Sequence, residues 1–147
     1  MITKAQLESS LKDAMRSGDV VRKNTIRMVL SAIRLAEVEK GALLDENGLL
    51  VVLQKEVKSR RESIADAQRA NRSDLVAASE AEIAVLETFL PKSMPQEELD
   101  SLARQAVAEV GATSLREMGQ VMKVLLPRLQ GHATGDQASQ AVRKLLH

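Results

Sequence analysis

Cysteine is absent from this chain, tryptophan and tyrosine with it, and Phe89 is the one aromatic residue. Without thiols there are no disulfides, no Cys-ligated zinc, no iron–sulfur cluster and no Cys nucleophile. Without a row of rings, single-stranded bases have nothing to stack on, which nearly excludes that mode of nucleic-acid binding. Long apolar runs are missing too. The longest are of the kind seen at Leu49 to Leu53, far too short to span a membrane. The opening residues, MITKAQLESS, hold no apolar stretch of the secretory-signal type, so a cytoplasmic chain is expected. What is present is an ordinary globular mixture: 147 residues, 44% hydrophobic and 28% charged, with only three prolines and seven glycines. That length is enough to bury a core without covalent staples.

A net charge of +1 conceals an uneven distribution. Between Lys12 and Ala36, Lys12, Arg16, Arg22, Lys23, Arg27 and Arg34 outweigh two acids, a balance of +4. Between Ser73 and Asp100, seven acids stand against Lys92 alone, a balance of −6. From Gly111 onward, Arg116, Lys123, Arg128, Arg143 and Lys144 outweigh two acids, a balance of +3. Basic ends around an acidic middle suit either a polyanion or internal complementarity between segments. Neither basic stretch is as dense as a dedicated nucleic-acid footprint, which favours complementarity.

Every periodic stretch has the helical period, and period-two alternation is absent, so the fold class expected is all-α. Thr3 and Gln6 form a capping box for a first helix that Gly18 closes. Asp19 caps a second helix running to Gly41, and Asp45 with Glu46 opens a third reaching about Arg69. Ser73 and Asp74 open a fourth, which the Leu90-Pro91 step ends because the residue before proline is driven from the α region. Pro95 starts a fifth with acids in its first turn, and Gly111 stops it. Ser114 and Glu117 read as a capping box for a sixth ending near Gly131. Thr134 or Asp136 caps a seventh that ends in Leu145-Leu146. The boundary at Pro91-Lys92-Ser93-Met94-Pro95 predicts an N-terminal domain of long helices, 1–92, and a small three-helix bundle, 96–147.

The second helix carries two apolar stripes. Ile26, Val29, Leu30 and Ile33 form one; Val21, Met28 and Leu35, seven apart, fall nearly opposite. Two apolar sides need two neighbours, so burial of Val21, Met28 and Leu35 is expected, by the first and third helices together or by a second copy. Lys23, Arg27 and Arg34 lie between the stripes within about 40° of one another, as a solvated strip or as a ridge for RNA phosphates. On the third helix, Arg60 and Arg61 flank the inner stripe. An ion pair from one of them to Glu82 on the fourth is the economical expectation.

Chemistry-bearing motifs are scarce. No GxGxxG and no GxxxxGK[ST] occurs, and Gly131-His132-Ala133-Thr134-Gly135 has the spacing of no phosphate loop. His132 and His147 are the two imidazoles, one in a loop and one at the last residue. Neither has metal-ligand spacing or a nucleophile in a persuasive relation to it. No metal, no cofactor and no catalytic residue is assigned.

Several stretches are nevertheless distinctive: Thr25-Ile26-Arg27-Met28, Lys55 to Ser63 (KEVKSRRES), and Leu86 to Pro91 (LETFLP). To these add Val110 to Ser114, Met118-Gly119-Gln120-Val121-Met122, Pro127, and Gly131 to Gly135. Together they resemble the YqeY family of small bacterial proteins over essentially the whole chain. The resemblance implies a C-terminal bundle similar to the tail domain of the B subunit of the tRNA-dependent amidotransferase. In that enzyme the tail reaches the body of the tRNA and the chemistry lies in other domains. The chain departs from the family pattern where His132 replaces a basic residue, Lys123 a glycine, Ala67 an aromatic and Asn71 a loop glycine.

On this basis the leading expectation is a tRNA-associated accessory module without catalytic residues of its own. Two alternatives stand beside it. One is a component with carbon–nitrogen ligase activity using glutamine as amide donor. The other is a protein–protein adaptor, or a self-associating chain, working through the second helix. RNA contact is expected at Lys123, Arg128, His132, Arg143 and Lys144, assisted by the helix start at Gly135; Lys23, Arg27 and Arg34 form a secondary basic surface. Gly119, within the sixth helix, is expected to admit a closely approaching backbone, and Gly131 and Gly135 to shape the turn before the seventh.

Overall fold

Cap chemistry becomes geometry at most of the expected joints in the computed structural model, which describes residues 2–147. Among the described residues the fold is all-α: seven α-helices and one 3-10 turn. The chain divides between Leu90 and Pro91 into two compact units.

The first unit holds α1 (Lys4–Ser17), α2 (Val20–Lys40), α3 (Glu46–Arg69) and α4 (Ser73–Glu87). Thr3 and Gln6 make the reciprocal capping box of α1, and Gly18 ends it in the left-handed conformation at φ 75°. Asp19 accepts the Arg22 N–H at the start of α2, and Asp45 accepts the Gly48 N–H at the start of α3. Between α3 and α4, Asn71 takes the left-handed conformation, φ 55°, a role an Asn side chain tolerates. α4 ends three residues before Leu90. Phe89 and Leu90 donate back to Leu86 and Glu87, so the last turn tightens into i→i−3 bonds ahead of Pro91. The core is built from Leu7 of α1, Ile26, Val29 and Ile33 of α2, Leu49, Leu53 and Val57 of α3, and Leu86 with Phe89 at the end of α4. Arg22 lies over the Phe89 ring at 5.0 Å and donates to Thr88 Oγ1 at 3.4 Å, closing that end.

At the far end of the α1–α2 hairpin, Lys4 Nζ donates to Glu37 Oε1 at 2.9 Å, while Glu37 Oε2 accepts the Leu44 N–H at 3.0 Å. One carboxylate thus ties the chain start to the α2–α3 connection. The lysine bond first, then the amide bond, holds the Glu37 carboxyl below the usual carboxylate range.

Burial of Val21, Met28 and Leu35 does not occur: all three are exposed, at 45%, 52% and 61%. α2 packs on α1, α3 and α4 through the arc centred on Ile26, Val29 and Ile33. Its neighbours crowd that one arc and leave the opposite stripe uncovered by the chain.

The second unit holds α5 (Gln96–Val110), the 3-10 turn Leu115–Glu117, α6 (Met118–Leu129) and α7 (Gly135–Arg143). Leu99, Ala103 and Ala106 of α5 meet Val121, Leu125 and Leu129 of α6 and Ala138, Ala141 and Val142 of α7. Thr134 and Gln137 form the capping box of α7. The box expected at Ser114 and Glu117 is replaced by another arrangement. Glu117 Oε1 accepts the Thr113 N–H at 3.2 Å, and Ser114 caps no backbone group. The 3-10 turn intervenes and moves the α-helical start to Met118, out of reach of Ser114.

Candidate nucleic-acid interface

The basic residues expected to meet RNA stand on α6, on α7 and in the turn between them. Lys123 is exposed, on the side of α6 turned away from the Val121–Leu125–Leu129 face. Arg128, five residues on, projects about 140° around the helix from Lys123. It reaches α5 instead, where its guanidinium pairs with Glu109. That hydrogen bond lowers the Glu109 carboxyl and raises the arginine. Arg143 ends α7 and Lys144 caps it; both are exposed. Cations there also suit the negative end of the helix dipole. Lys123, Arg143 and Lys144 enter no ion pair among the described residues, whereas Arg128 already holds a carboxylate.

His132 is held by partners within its own unit. Its Nδ1 lies 2.5 Å from the Lys92 carbonyl oxygen, and its own carbonyl accepts the Met94 N–H at 2.9 Å. The residue clamps the segment leading into α5 against the α6–α7 turn, which leaves Nε2 as the ring atom for any outside contact. The start of α7 is occupied as well. The Thr134–Gln137 box satisfies two backbone N–H groups, and Asp136 puts a carboxylate in the first turn. Gly131 does shape the turn, at φ 80°, together with Gln130 at φ 48°. Gly135 has no left-handed conformation to supply; a Cβ there would sit 4.0 Å from Leu126 Cδ2.

Gly119 departs from the expected close approach. It is the second residue of α6, in the first turn, and nothing lies within 4 Å of where its Cβ would be. Among the described residues no helix comes near enough to require it.

In the first unit Arg27 and Arg34 are exposed and Lys23 is half-buried, with no ion pair for any of them among the described residues. Among the described residues the one buried charge is Arg60. Its Nε donates to Glu82 Oε2 at 2.7 Å, and its Nη1 to Glu56 Oε2 at 2.5 Å and to the Glu56 carbonyl at 3.1 Å. Nη2 lies 3.6 Å from Met28 Sδ. Glu82 is the expected partner; Glu56, one helical turn back, was not foreseen, although Glu at i and Arg at i+4 was there to find. Two carboxylates around one guanidinium compensate its burial, and the cluster joins three helices. Sequence reasoning also missed Thr25, whose hydroxyl is buried with no hydrogen-bond partner. Such an orphan costs about 1–3 kcal/mol, and nothing in the structure explains it. No group of three or more His, Asp or Glu positioned to hold a metal occurs among the described residues.

With the geometry in view, kinship can be stated. The Yqey-like protein family model matches residues 4–146. The chain belongs to the YqeY family. It is similar to fungal proteins named Altered inheritance of mitochondria protein 41, mitochondrial. The one from Vanderwaltozyma polyspora is 37% identical over 62% of this chain and 51% of its own length. Its Lachancea thermotolerans counterpart is 40% identical over 58% of this chain and 46% of its own. The Pyrenophora tritici-repentis protein is 29% identical over 87% of this chain and 71% of its own. The chain thus spans about half the length of the first two relatives. These relatives are mitochondrial by name. Among the described residues, no helix is long and apolar enough to cross a membrane.

Proposed function

We propose that this YqeY-family chain is a tRNA-associated binding module whose contact surface is the C-terminal bundle and which performs no chemistry of its own. The observation that supports it most is the state of Lys123, Arg143 and Lys144: exposed cations on a helical bundle, without carboxylate partners among the described residues. Family membership adds the likeness of that bundle to a tail domain that reaches tRNA. Arg128 joins by exchanging Glu109 for a phosphate, and His132 and Gly135 contribute through the turn they occupy.

Phosphate contacts position a nucleic acid without reading its sequence. The test is a titration with bulk tRNA at two salt concentrations. Three or four phosphate contacts give a log–log salt slope of roughly −3 on duplex-like RNA. Replacing Lys123 and Arg128 with Ala should weaken binding of every tRNA about equally. Loss of binding on changing Lys23, Arg27 and Arg34, with the C-terminal pair inert, moves the site to α2. Amide-forming turnover by the purified chain with glutamine, ATP and mischarged tRNA would replace this reading with the ligase one.

A further inference from the structure

The uncovered stripe of α2 has more order than a chance exposure of apolar side chains. Val21, Met28 and Leu35 repeat every seven residues, and Val38 extends the line at 74% exposure. Asn24, Ser31 and Val38 occupy the positions three residues after each of the first three. Of these only Val38 is apolar, so the stripe repeats at one position of each heptad, with Asn24 and Ser31 as polar residues beside it. A seven-residue period keeps the stripe on one side of α2 from Val21 to Val38, roughly 27 Å of helix. Met28, at its centre, is braced by the Arg60 guanidinium, itself held by Glu56 and Glu82. The middle of the stripe is therefore positioned before any partner arrives.

Charge selects the occupant. Arg27 and Arg34 immediately precede Met28 and Leu35, so they flank the stripe on one edge, exposed and with no ion pair among the described residues. If a second copy docked α2 on α2 antiparallel, Arg27 and Arg34 of the two chains would face each other. In the parallel arrangement they would meet Thr25 and Ala32, which the chain's own packing buries or half-buries. A nucleic acid would answer the arginines and leave the apolar line in water. We propose that the α2 face is a docking site for an amphipathic helix of another protein, one whose apolar seam is flanked by carboxylates. The residues of this surface all belong to the first unit.

A synthetic 21-residue helix with Leu at its seam positions and Glu at the flanking ones serves as probe, with a Lys-flanked version as control. Fluorescence anisotropy with the full chain should show the Glu-flanked helix binding at least about tenfold more tightly than the control. Leu35→Ser should weaken it by about tenfold, since a leucine then stays unburied. Leu35 is solvent-exposed in the free chain, so thermal melting should be unchanged. Arg27→Glu with Arg34→Glu should invert the preference toward the Lys-flanked helix. Equal binding of the two helices, or binding of neither, overturns the proposal. Self-association in sedimentation that Leu35→Ser removes would assign the face to a second copy instead. Loss of tRNA binding in the Arg27→Glu, Arg34→Glu chain, with no peptide bound by the unaltered chain, would assign it to nucleic acid.

Discussion

The two units solve the same packing problem with different residues. Among the described residues, the main N-terminal cluster of ten buried residues holds no alanine, Ala14 and Ala67 being buried outside it; of the twelve in the C-terminal cluster six are alanine. Large branched side chains fill the space between long helices and bury much apolar area per residue. Alanines let short helices approach closely, but each contributes little area, which leaves a small unit with a narrow margin. Polar groups follow the same division. The N-terminal unit is thick enough to bury the Arg60 guanidinium with two carboxylates, whereas the pair Arg128–Glu109 lies at the surface.

This contrast predicts opposite sensitivities. Leu53→Ala opens a cavity in the large-residue core and should cost about 2–5 kcal/mol in denaturant unfolding. Ala106→Leu, at a residue fully buried in the alanine core, should cost about 1–3 kcal/mol by overpacking. Hydrogen exchange should place each loss in its own unit. Tolerance of the added leucine would show that the C-terminal helices are not held at alanine distance.

A smaller effect has the opposite sign. Gly119→Ala meets no neighbour, so it should stabilise the bundle by about 0.5 kcal/mol, less than the roughly 1 kcal/mol of a helix-interior site. A lower melting temperature would reveal a close contact at that position.

The smallest effect concerns pH. Glu37 has a lowered pKa in the folded chain, so its contribution is present above the ordinary carboxylate value and fades as pH falls through the depressed one. Glu37→Gln should therefore reduce stability at neutral pH and flatten the acid limb of the stability profile. An unchanged acid limb would mean that the Lys4–Glu37–Leu44 link does not report on folding.

Much of the fold was legible because its determinants are local. Thr3 with Gln6, Asp19, Asp45, Gly18, Gly111 and Thr134 with Gln137 act within four residues of the groups they satisfy. Ser114 and Glu117 failed as a box because a 3-10 turn changed the geometry between them, and a spacing rule does not register that. The candidate site was legible only as charge. Side-chain type placed Lys123, Arg143 and Lys144 among the exposed cations, but their partners depend on what lies opposite. Arg128 met Glu109 from nineteen positions earlier, and His132 met the Lys92 carbonyl from forty positions earlier.

Amino-acid order alone settled where most of the helices begin and end, where their apolar stripes lie and which segments carry net charge. These follow from capping, the 3.6-residue period and composition, all short-range. Packing settled the rest: that one apolar stripe of α2 is buried and the other left open, that Arg60 takes two carboxylates, and that Gly119 has no neighbour. Each of these depends on what stands on the other side of a gap between helices, and residues far apart in the chain come to face one another only when the chain folds.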